Sequence, residues 1–461
     1  MKEKKTKSFY RCLECGYESV KWLGKCPSCG SWNSFEETVP VAIRHSPMLI
    51  PGKNATPPEA QPLNAISMES ERRICTPMLE WDRVLGGGLV PGSLVLLAGD
   101  PGMGKSTLLL QVLASLSTRQ KVLYVSGEES RRQIKLRADR LGVGDAEVLV
   151  ASETTLEAIL ELISAHEIEV VAIDSIQTIA SSLLDATTGT ITQIRHCTDR
   201  LLQMAKTQGV TVIIVGHVTK EGIVAGPKAL EHLVDVVLYL EGDRTHTFRL
   251  LRSVKNRYGS TNEIGVFEMK DRGLEEVRNP SQMFLAERPI DAPGSVVMAT
   301  IEGTRPLLVE IQALVSYSAL AVPRRTATGF DANRASLLMA VLEKRLGISF
   351  AQEDVFINVA GGIKLREPAA DMAVCLALMS SYFDRPLPHQ LVTWGEVGLT
   401  GEVRAVGYSD VRYQEAIRLG FNKVMVPATT AEQLKKEVKP RSAAEIVTVK
   451  SLKDVLNNLF K

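Results

Sequence analysis

The chain has 461 residues, 45% of them apolar and 23% charged, and its formal net charge is +1. This length exceeds the size at which one hydrophobic core stops growing, so we expect two or three globular domains. Because the net charge is close to zero, any contact with nucleic acid must use local basic patches. The amino terminus has no apolar signal core and no apolar run is long enough to span a membrane, so we expect a protein of the reducing cytoplasm.

The first predicted domain, residues 1–35, is a cysteine knuckle. Two C-x-x-C-G segments separated by ten residues supply Cys12, Cys15, Cys26 and Cys29. Four thiolates at this spacing suit one tetrahedral ion, and a glycine after each pair lets the backbone turn tightly beneath it. We predict structural zinc, with iron and disulfides as alternatives. So small a segment can bury little apolar surface, so the metal is predicted to supply its folding energy.

The surroundings of the knuckle leave its partner open. Basic side chains alternate with aromatic ones: Lys2, Lys4, Lys5, Lys7, Arg11, Lys21 and Lys25 with Tyr10, Tyr17 and Trp22. Such a set suits contacts to a nucleic-acid backbone and stacking on bases. A solvated basic face on a protein-binding ribbon explains it equally well.

A proline-rich linker is expected over residues 36–77, followed by a large domain over 78–279. In that domain, apolar strand-like runs alternate with helical stretches. The clearest runs are 94–98, 121–125 and 170–173. This alternation predicts an α/β fold, a mostly parallel sheet with helices on both faces. A junction near Asn279 and Pro280 then opens a second α/β unit over 280–461, with runs at 295–299 and 307–311 and a long helix after Asn333.

The strongest motif of the chain lies between the first run and a helical stretch, where G-D-P-G-M-G-K-S fits G-x-x-x-x-G-K-[ST] without exception. With the next residue, it gives the predicted nucleotide-binding set: Gly99, Asp100, Pro101, Gly102, Met103, Gly104, Lys105, Ser106 and Thr107. Its backbone N–H groups are expected to surround the phosphates. Lys105 would reach the β- and γ-phosphates, and the Ser106 hydroxyl would ligate Mg²⁺. The segment therefore predicts binding of ATP with Mg²⁺.

Polar residues that follow three other predicted strands complete the nucleotide site. Asp174 ends an apolar strand and is predicted to be the carboxylate on the magnesium side. The run at 121–125 leads to Glu128 and Glu129, of which Glu128 is the first choice and Glu129 the second for the base that activates water. The alternative for these two is an acidic N-cap. His217 follows a third strand and is predicted to sense the γ-phosphate, with a capping role as its alternative.

These motifs together resemble the RecA superfamily of ATPases, and W-D-R-V-L-G-G-G-L at 81–89 before the phosphate loop adds to the likeness. With the cysteine knuckle and the segment Lys255-Asn256-Arg257-Tyr258-Gly259, the chain resembles the bacterial DNA-repair family RadA, also called Sms, over essentially its whole length. The resemblance implies a RecA-like P-loop core in a homo-hexameric ring. Such a ring loads on single-stranded DNA and promotes branch migration of branched recombination intermediates, with a recombinase or other repair proteins as further partners.

The resemblance also implies roles for particular cations. Lys255 and Arg257 are expected to reach the γ-phosphate of a neighbouring subunit as trans-acting cations. A solvated basic turn or phosphate contacts to DNA are the alternatives. Two segments are candidate DNA loops by analogy, 180–195 and the segment that carries Lys220 and Lys228.

The carboxyl-terminal unit resembles the proteolytic domain of Lon, through V-F-I-N-V-A-G-G at 355–362 and E-P-A-A-D at 367–371. Lon-type chemistry uses a serine activated by a lysine. Here Ala369 stands at the serine position and Asp410 where the lysine would fall, so we predict a catalytically inactive Lon-like domain that serves assembly or DNA binding. Its cations form a basic track or are merely scattered: Arg324, Arg325, Lys344, Arg345, Lys364 and Arg366.

Three functions compete at this point. The preferred one is a DNA-stimulated ATPase motor. A KaiC-like regulatory ATPase that binds protein partners is the second, and the single phosphate loop and the knuckle weigh against it. An ATP-dependent protease is the third, opposed by Ala369 and Asp410.

Overall fold

The computed structural model describes residues 9–12, 18–27, 32–33, 35–38, 62, 73–217, 230–242, 248–437 and 444–460. They divide into two compact units. The first extends to Leu240 and includes Ser253–Gly259 and Asp271–Gly273. The second contains Glu241–Arg252, Ser260–Lys270 and Leu274–Lys461. Each unit has its own hydrophobic core.

The amino-terminal segment forms a small antiparallel sheet. Its strands are β1 (Phe9–Cys12), β2 (Glu18–Ser19) and β3 (Phe35–Thr38), in the order β2-β1-β3. Cys12 and Cys26 are buried with Phe35 in a cluster of their own. Within the described residues of this segment, the cluster is too small to stabilise the sheet by burial alone, which is consistent with the expected dependence on a metal.

Parallel strands form the centre of the first unit. They are β4 (Leu94–Gly99), β5 (Val122–Ser126), β6 (Leu149–Ser152), β7 (Val170–Asp174), β8 (Thr211–His217) and β9 (Val236–Gly242). These strands lie in the order β9-β4-β8-β7-β5-β6, and all neighbours pair in parallel. Because they are parallel, the carboxyl ends of β4, β5, β7 and β8 meet at one edge, where ligands bind in open α/β sheets.

One helix precedes these strands and four lie between them along the chain. They are α1 (Leu79–Leu85), α2 (Lys105–Leu116), α3 (Arg131–Arg140), α4 (Leu156–Ala165) and α5 (Ile191–Gln208). Helix α3 begins with a capping box in which Ser130 and Gln133 satisfy each other's backbone N–H groups. Ser130, and neither glutamate before it, is therefore the N-cap. The α/β architecture expected from the alternating pattern is confirmed.

Three more strands follow in sequence: β10 (Phe248–Asn256), β11 (Ile264–Lys270) and β12 (Gly273–Glu276). Within the second unit, β10 and β11 pair antiparallel from Phe248 to Arg252. The end of β10 and the turn that follows it belong to the first unit. The segment Lys255–Gly259, called a turn below, spans the last two residues of β10 and the turn itself.

The second unit is built on a mixed seven-stranded sheet in the order β15-β16-β14-β13-β17-β20-β21. Its long strands are β13 (Ser295–Glu302), β14 (Arg305–Tyr317), β15 (Arg325–Thr328), β16 (Glu353–Val359), β17 (Leu391–Thr393), β20 (Lys423–Pro427) and β21 (Glu445–Val449). The short strands β18 (Glu396–Val397) and β19 (Val403–Arg404) pair separately.

The helices of the second unit are α6 (Pro280–Phe284), α7 (Ala332–Leu346), α8 (Asp371–Tyr382), α9 (Ser409–Arg418), α10 (Ala428–Glu437) and α11 (Leu452–Leu459). Helix α8 is buried from Asp371 to Ser380 and lies at the centre of the core. A helix that is apolar on all sides is typical of such a central position. Among the residues that the structure describes, no helix is long and apolar enough to cross a membrane.

Candidate active site

The phosphate loop joins β4 to α2 with the geometry that its glycines predict. Gly102 and Gly104 have φ angles of 83° and 100°, which only glycine adopts without strain, and Gly104 is the N-cap of α2. A Cβ atom at Gly99 would lie 2.4 Å from the backbone oxygen of Leu240, so this position must lack a side chain. The N–H groups of the first turn of α2 are therefore presented at the edge where β4 ends, as phosphate binding requires.

Lys105 is held inside this loop. Its side chain is 4% exposed, and Nζ donates to the backbone oxygens of Gly99 and Asp100 at 2.8 and 3.0 Å. Burial lowers the pKa of Lys105, while the negative charges of Asp174, Asp100 and Glu128 act to raise it. The structure thus brings together the lysine and the two carboxylates that the sequence assigned to the phosphate, the metal and the water.

Asp174 lies at the carboxyl end of β7, opposite Ser126 of β5. It is buried, and its Oδ2 accepts a hydrogen bond of 2.5 Å from the hydroxyl of Tyr124. Burial, and next the charge of Asp174, raise the pKa of Tyr124 well above its usual value, so the phenol stays protonated as a donor. Asp174 and the Ser106 hydroxyl offer oxygen ligands, the type that Mg²⁺ prefers, so the residues present fit magnesium-bound ATP.

The two candidate bases have different environments. Glu128 is exposed at the strand edge, and its Oε1 accepts a hydrogen bond of 2.9 Å from the Ser175 hydroxyl. Glu129 forms an ion pair with Arg137, at 3.0 Å between Oε2 and Nη2. Because an ion pair holds Glu129 whereas a single neutral hydroxyl holds Glu128, the carboxylate of Glu128 is freer to turn toward a water molecule. The geometry therefore favours Glu128 over Glu129, as the sequence did.

Other predicted residues of this edge are only partly described. His217 ends β8 directly opposite Gly99, which places its backbone beside the phosphate loop. Its side chain, like the predicted DNA contacts Lys220 and Lys228, lies outside the described residues. The segment at 180–195 is described and is held by the buried side chain of Gln193, which bonds to backbone groups of Ser181, Leu184 and Ala186.

The turn Lys255–Gly259 is anchored to its own chain at the opposite edge of the sheet. Lys255 Nζ donates to the backbone oxygens of Glu231 and Val234 at 2.7 and 2.8 Å. Arg257 is 53% exposed and pairs with the buried Asp235 at 3.2 Å. Asp235 also accepts a hydrogen bond of 3.0 Å from the backbone N–H of Leu94, the first residue of β4.

This placement separates Arg257 from the phosphate loop of its own chain. Leu94 begins β4 and the loop follows Gly99, so the length of the strand lies between them. Six residues of strand span roughly 20 Å. A cation at this end cannot reach a phosphate bound at the other end of the same strand.

The cysteine knuckle is described only in part. Cys12 and Cys26, one from each pair, are both 1% exposed. Cys15 and Cys29 lie outside the described residues. Lys25 directly precedes the second cysteine pair. Its Nζ lies 5.5 Å from the centre of the exposed Trp32 ring, which is a cation–π contact.

In the second unit, Ala369 lies in a short turn at residues 368–370 that precedes α8. It is 0% exposed, and its backbone oxygen accepts a hydrogen bond of 3.0 Å from the N–H of Gly395. Glu367, just before the turn, pairs with the buried Arg412 through both of its carboxylate oxygens, at 2.9 and 2.5 Å. Asp410 is an exposed residue in the first turn of α9. A buried methyl group and an exposed carboxylate thus stand at the two positions that the sequence resemblance assigns to the serine and the lysine.

Three residues of the site were missed by the sequence analysis. Tyr124 donates a hydrogen bond to Asp174, and Arg137 forms an ion pair with Glu129. Ser175 donates a hydrogen bond to Glu128. A tyrosine in a buried strand and an arginine in an amphipathic helix have no spacing that predicts a shared site. The one available signal was Ser175, because it directly follows the strand-end aspartate.

Three family models match parts of the chain. They are described as "Rubredoxin metal binding domain" for residues 10–37, "AAA domain" for 60–222 and "Lon protease (S16) C-terminal proteolytic domain" for 334–461. Similar whole proteins carry the name DNA repair protein RadA. The one from Bacillus subtilis is 52% identical over 430 residues, 93% of this chain and 94% of that protein. The one from Streptococcus pyogenes is 49% identical over 457 residues, 99% of both chains.

A solved structure also shows similarity. The KaiC-like protein of Pyrococcus horikoshii is 20% identical and aligns with 45% of this chain and 99% of its own, with a TM-score of 0.38. That score is too low for a detailed comparison of the two folds.

Proposed function

Because the chain belongs to the RadA family of DNA repair proteins, we propose that it is a DNA-dependent ATPase of recombinational repair. In this proposal a hexamer of the chain moves on single-stranded DNA and promotes branch migration of recombination intermediates. The observation that carries the ATPase part is the convergence of Lys105, Asp174 and Glu128 beside an intact phosphate loop. The DNA part rests on the name that the relatives share.

Hydrolysis follows from the positions of these groups. Lys105 lies where it can compensate charge on the γ-phosphate, and the N–H groups of the loop hold the other phosphate oxygens. Ser106 and Asp174 would hold Mg²⁺, which would supply further compensation for the charge of the phosphates. Glu128, oriented by Ser175, accepts a proton from the attacking water.

Replacing the proposed base tests this assignment. Glu128→Gln should bind ATP normally and lose turnover by a factor of about 10² or more, since the amide has the same shape but cannot accept a proton. Glu129→Gln, the matched comparison one residue away, should keep most of its turnover at saturating ATP and Mg²⁺, because Glu129 is not the proposed proton acceptor. Single-turnover hydrolysis and ATP affinity are measured for both variants. If Glu129→Gln lost turnover while Glu128→Gln kept it, the order of the two glutamates would be wrong.

We assign Arg257, with Lys255 as its neighbour, to the ATP site of an adjacent subunit. The turn lies at the edge of the sheet opposite its own phosphate loop, so a cation acting on phosphate from there must act on another chain. Arg257 is the better candidate, because half of its side chain is exposed whereas Lys255 Nζ donates to carbonyl groups of its own chain. Its direct test is described in the Discussion.

The proposed function is tested as a whole by ATP turnover with and without single-stranded DNA. A DNA motor requires stimulation by DNA, and Glu128→Gln should lose both basal and stimulated turnover. Turnover that DNA leaves unchanged would favour the regulatory ATPase, and DNA binding without turnover would leave only a binding role. Duplex DNA of the same length is the control ligand, because its phosphates test charge alone.

We propose that the knuckle holds one structural zinc ion on Cys12, Cys15, Cys26 and Cys29. Cys26→Ser should release the metal and unfold residues 1–35 while the ATPase core stays folded. Cys75→Ser, which removes an exposed cysteine outside the knuckle, should keep one ion per chain. Elemental analysis and far-UV circular dichroism report metal content and folding. Iron at one per chain, or no metal, would contradict the zinc assignment.

We also propose that the Lon-like domain is not a protease. Native protein should not cleave labelled casein, and Ala369→Ser should not restore cleavage, because Asp410 supplies no base. The double variant Ala369→Ser/Asp410→Lys supplies both groups and is the matched comparison. Cleavage by the native chain or by Ala369→Ser would overturn the proposal. If only the double variant cleaved casein, the native domain would be inactive because it lacks the two side chains, and not because substrate is kept from the site.

A further inference from the structure

We infer that Tyr124 and Arg137 are positioning residues of the ATPase site, which fix the carboxylate of Asp174 in the orientation that magnesium-bound ATP requires. The inference rests on the proposed ATPase function and extends it to two side chains that do not touch the nucleotide. It also gives Glu129 a role, because Glu129 holds Arg137.

The contacts form one chain of side chains from the surface to the metal-side carboxylate. Glu129 pairs with Arg137 at 3.0 Å, and Arg137 Nη2 donates to the Tyr124 hydroxyl at 2.7 Å. That hydroxyl donates in turn to Asp174 Oδ2 at 2.5 Å. The guanidinium carbon of Arg137 also lies 5.6 Å from the centre of the Tyr124 ring, so the arginine packs over the tyrosine as well as donating to it.

This chain constrains Asp174 in a way that the backbone alone does not. The carboxylate is attached by a torsion with broad, roughly two-fold preferences, so its two oxygens exchange places easily unless one is bound. Tyr124 is fully buried in β5, which pairs with β7 with Ser126 opposite Asp174, so its ring cannot move away from the carboxylate. The hydroxyl therefore selects Oδ2 as its acceptor and fixes the rotation of the group.

The donor and acceptor of each hydrogen bond in this chain of contacts are also fixed. Arg137 carries no acceptor, so it can only donate to the tyrosine oxygen, and the tyrosine proton must point to Asp174. Glu129 orients Arg137 for that donation. If position 124 only filled an apolar site, a phenylalanine would suffice there. The tyrosine hydroxyl instead accepts a hydrogen bond from Arg137 and donates one to Asp174.

The test is the dependence of ATP affinity on Mg²⁺. Tyr124→Phe keeps the ring and removes the donor, so its affinity for ATP in Mg²⁺ should fall about tenfold, the lower range for a hydrogen bond to a charged group. Its affinity in EDTA should match that of the native chain, because Lys105 and the loop are unchanged. Tyr239→Phe, which removes a phenol from β9 of the same sheet, separated from β5 by three strands, is the matched control and should change neither value.

Arg137→Lys keeps the inference testable if Tyr124→Phe folds poorly, and a double variant tests whether the residues act together. Arg137→Lys should show the same loss confined to Mg²⁺, and adding Glu129→Gln to Tyr124→Phe should cause little further loss, because both act through one chain of contacts. Native affinities in Tyr124→Phe, or equal losses with and without Mg²⁺, would overturn the positioning role. The ATP affinity of Glu128→Gln should depend on Mg²⁺ as it does in the native chain. Normal turnover in that variant would refute the proposed base, and the inference about Tyr124 and Arg137 would be unaffected.

Discussion

Lys105→Ala should reduce ATP turnover by a factor of about 10³ or more, the largest effect expected from one substitution in the phosphate loop. Its ammonium group is buried inside the phosphate loop, and Asp174 and Glu128 lie close enough to act on its pKa. Removing the cation leaves those carboxylates facing the phosphates without compensation, in a partly desolvated site where charge interactions are strong. ATP hydrolysis at saturating Mg²⁺, with and without single-stranded DNA, measures the loss.

Lys121→Ala is the matched control. Lys121 is an exposed lysine of the same unit whose ion pair with Glu167, at 2.6 Å, lies on the surface. Such a pair contributes about 0–1 kcal/mol to stability, so this variant should hydrolyse ATP at the native rate. Native turnover in Lys105→Ala would refute the assignment of the nucleotide site.

Arg257→Ala should abolish turnover at every interface to which a mutant subunit contributes its turn. Stabilisation of a transferring phosphoryl group by a trans-acting arginine accounts for a factor of about 10³ or more in rate. In rings of mixed subunits, activity should therefore fall faster than the fraction of mutant subunit rises. The fold should tolerate the change, because Asp235 keeps the N–H of Leu94 and the Lys206 ammonium, at 3.0 and 2.8 Å, as partners.

The measurement is DNA-stimulated turnover of native and Arg257→Ala protein mixed in known ratios, after subunit exchange has been confirmed. Arg140→Ala, which removes an exposed arginine at the end of α3, is the control and should leave activity unchanged at every ratio. A strictly linear decline with Arg257→Ala would indicate independent sites. Normal turnover with weak DNA binding would instead make Arg257 a phosphate contact to DNA.

The sequence predicted those parts of the site whose geometry is local. The phosphate loop is a run of consecutive residues, and the structure begins α2 at Lys105 as the motif requires. The position of Asp174 at the end of a strand is also predictable, because an apolar run that ends in a carboxylate is a short local pattern, and β7 does end at Asp174. The alternative that Glu128 and Glu129 cap the next helix is wrong, since the Ser130 capping box performs that function.

The parts that sequence could not predict depend on pairing between distant segments. Tyr124 and Asp174 meet only because β5 and β7 are neighbours in a particular register, and neither fact is encoded near either residue. In the second unit, the apolar run at 307–311 predicted a short strand, whereas β14 extends from Arg305 to Tyr317. Its exposed end is ordered by pairing with β16, where Tyr317 lies opposite Glu353.

The spacing between β5 and β7 also limits which sequences this site can accept. A Cβ atom at Gly127 would lie 2.0 Å from Oγ1 of Thr178, a residue whose hydroxyl donates to the backbone oxygen of Ser175 at 2.8 Å. A larger residue at position 127 thus requires a smaller one at 178, which would remove that hydrogen bond from the turn after Asp174. Position 127 can therefore enlarge only if the side chain at 178 shrinks or moves, and a library that randomises the glutamate pair of this loop should keep both residues fixed.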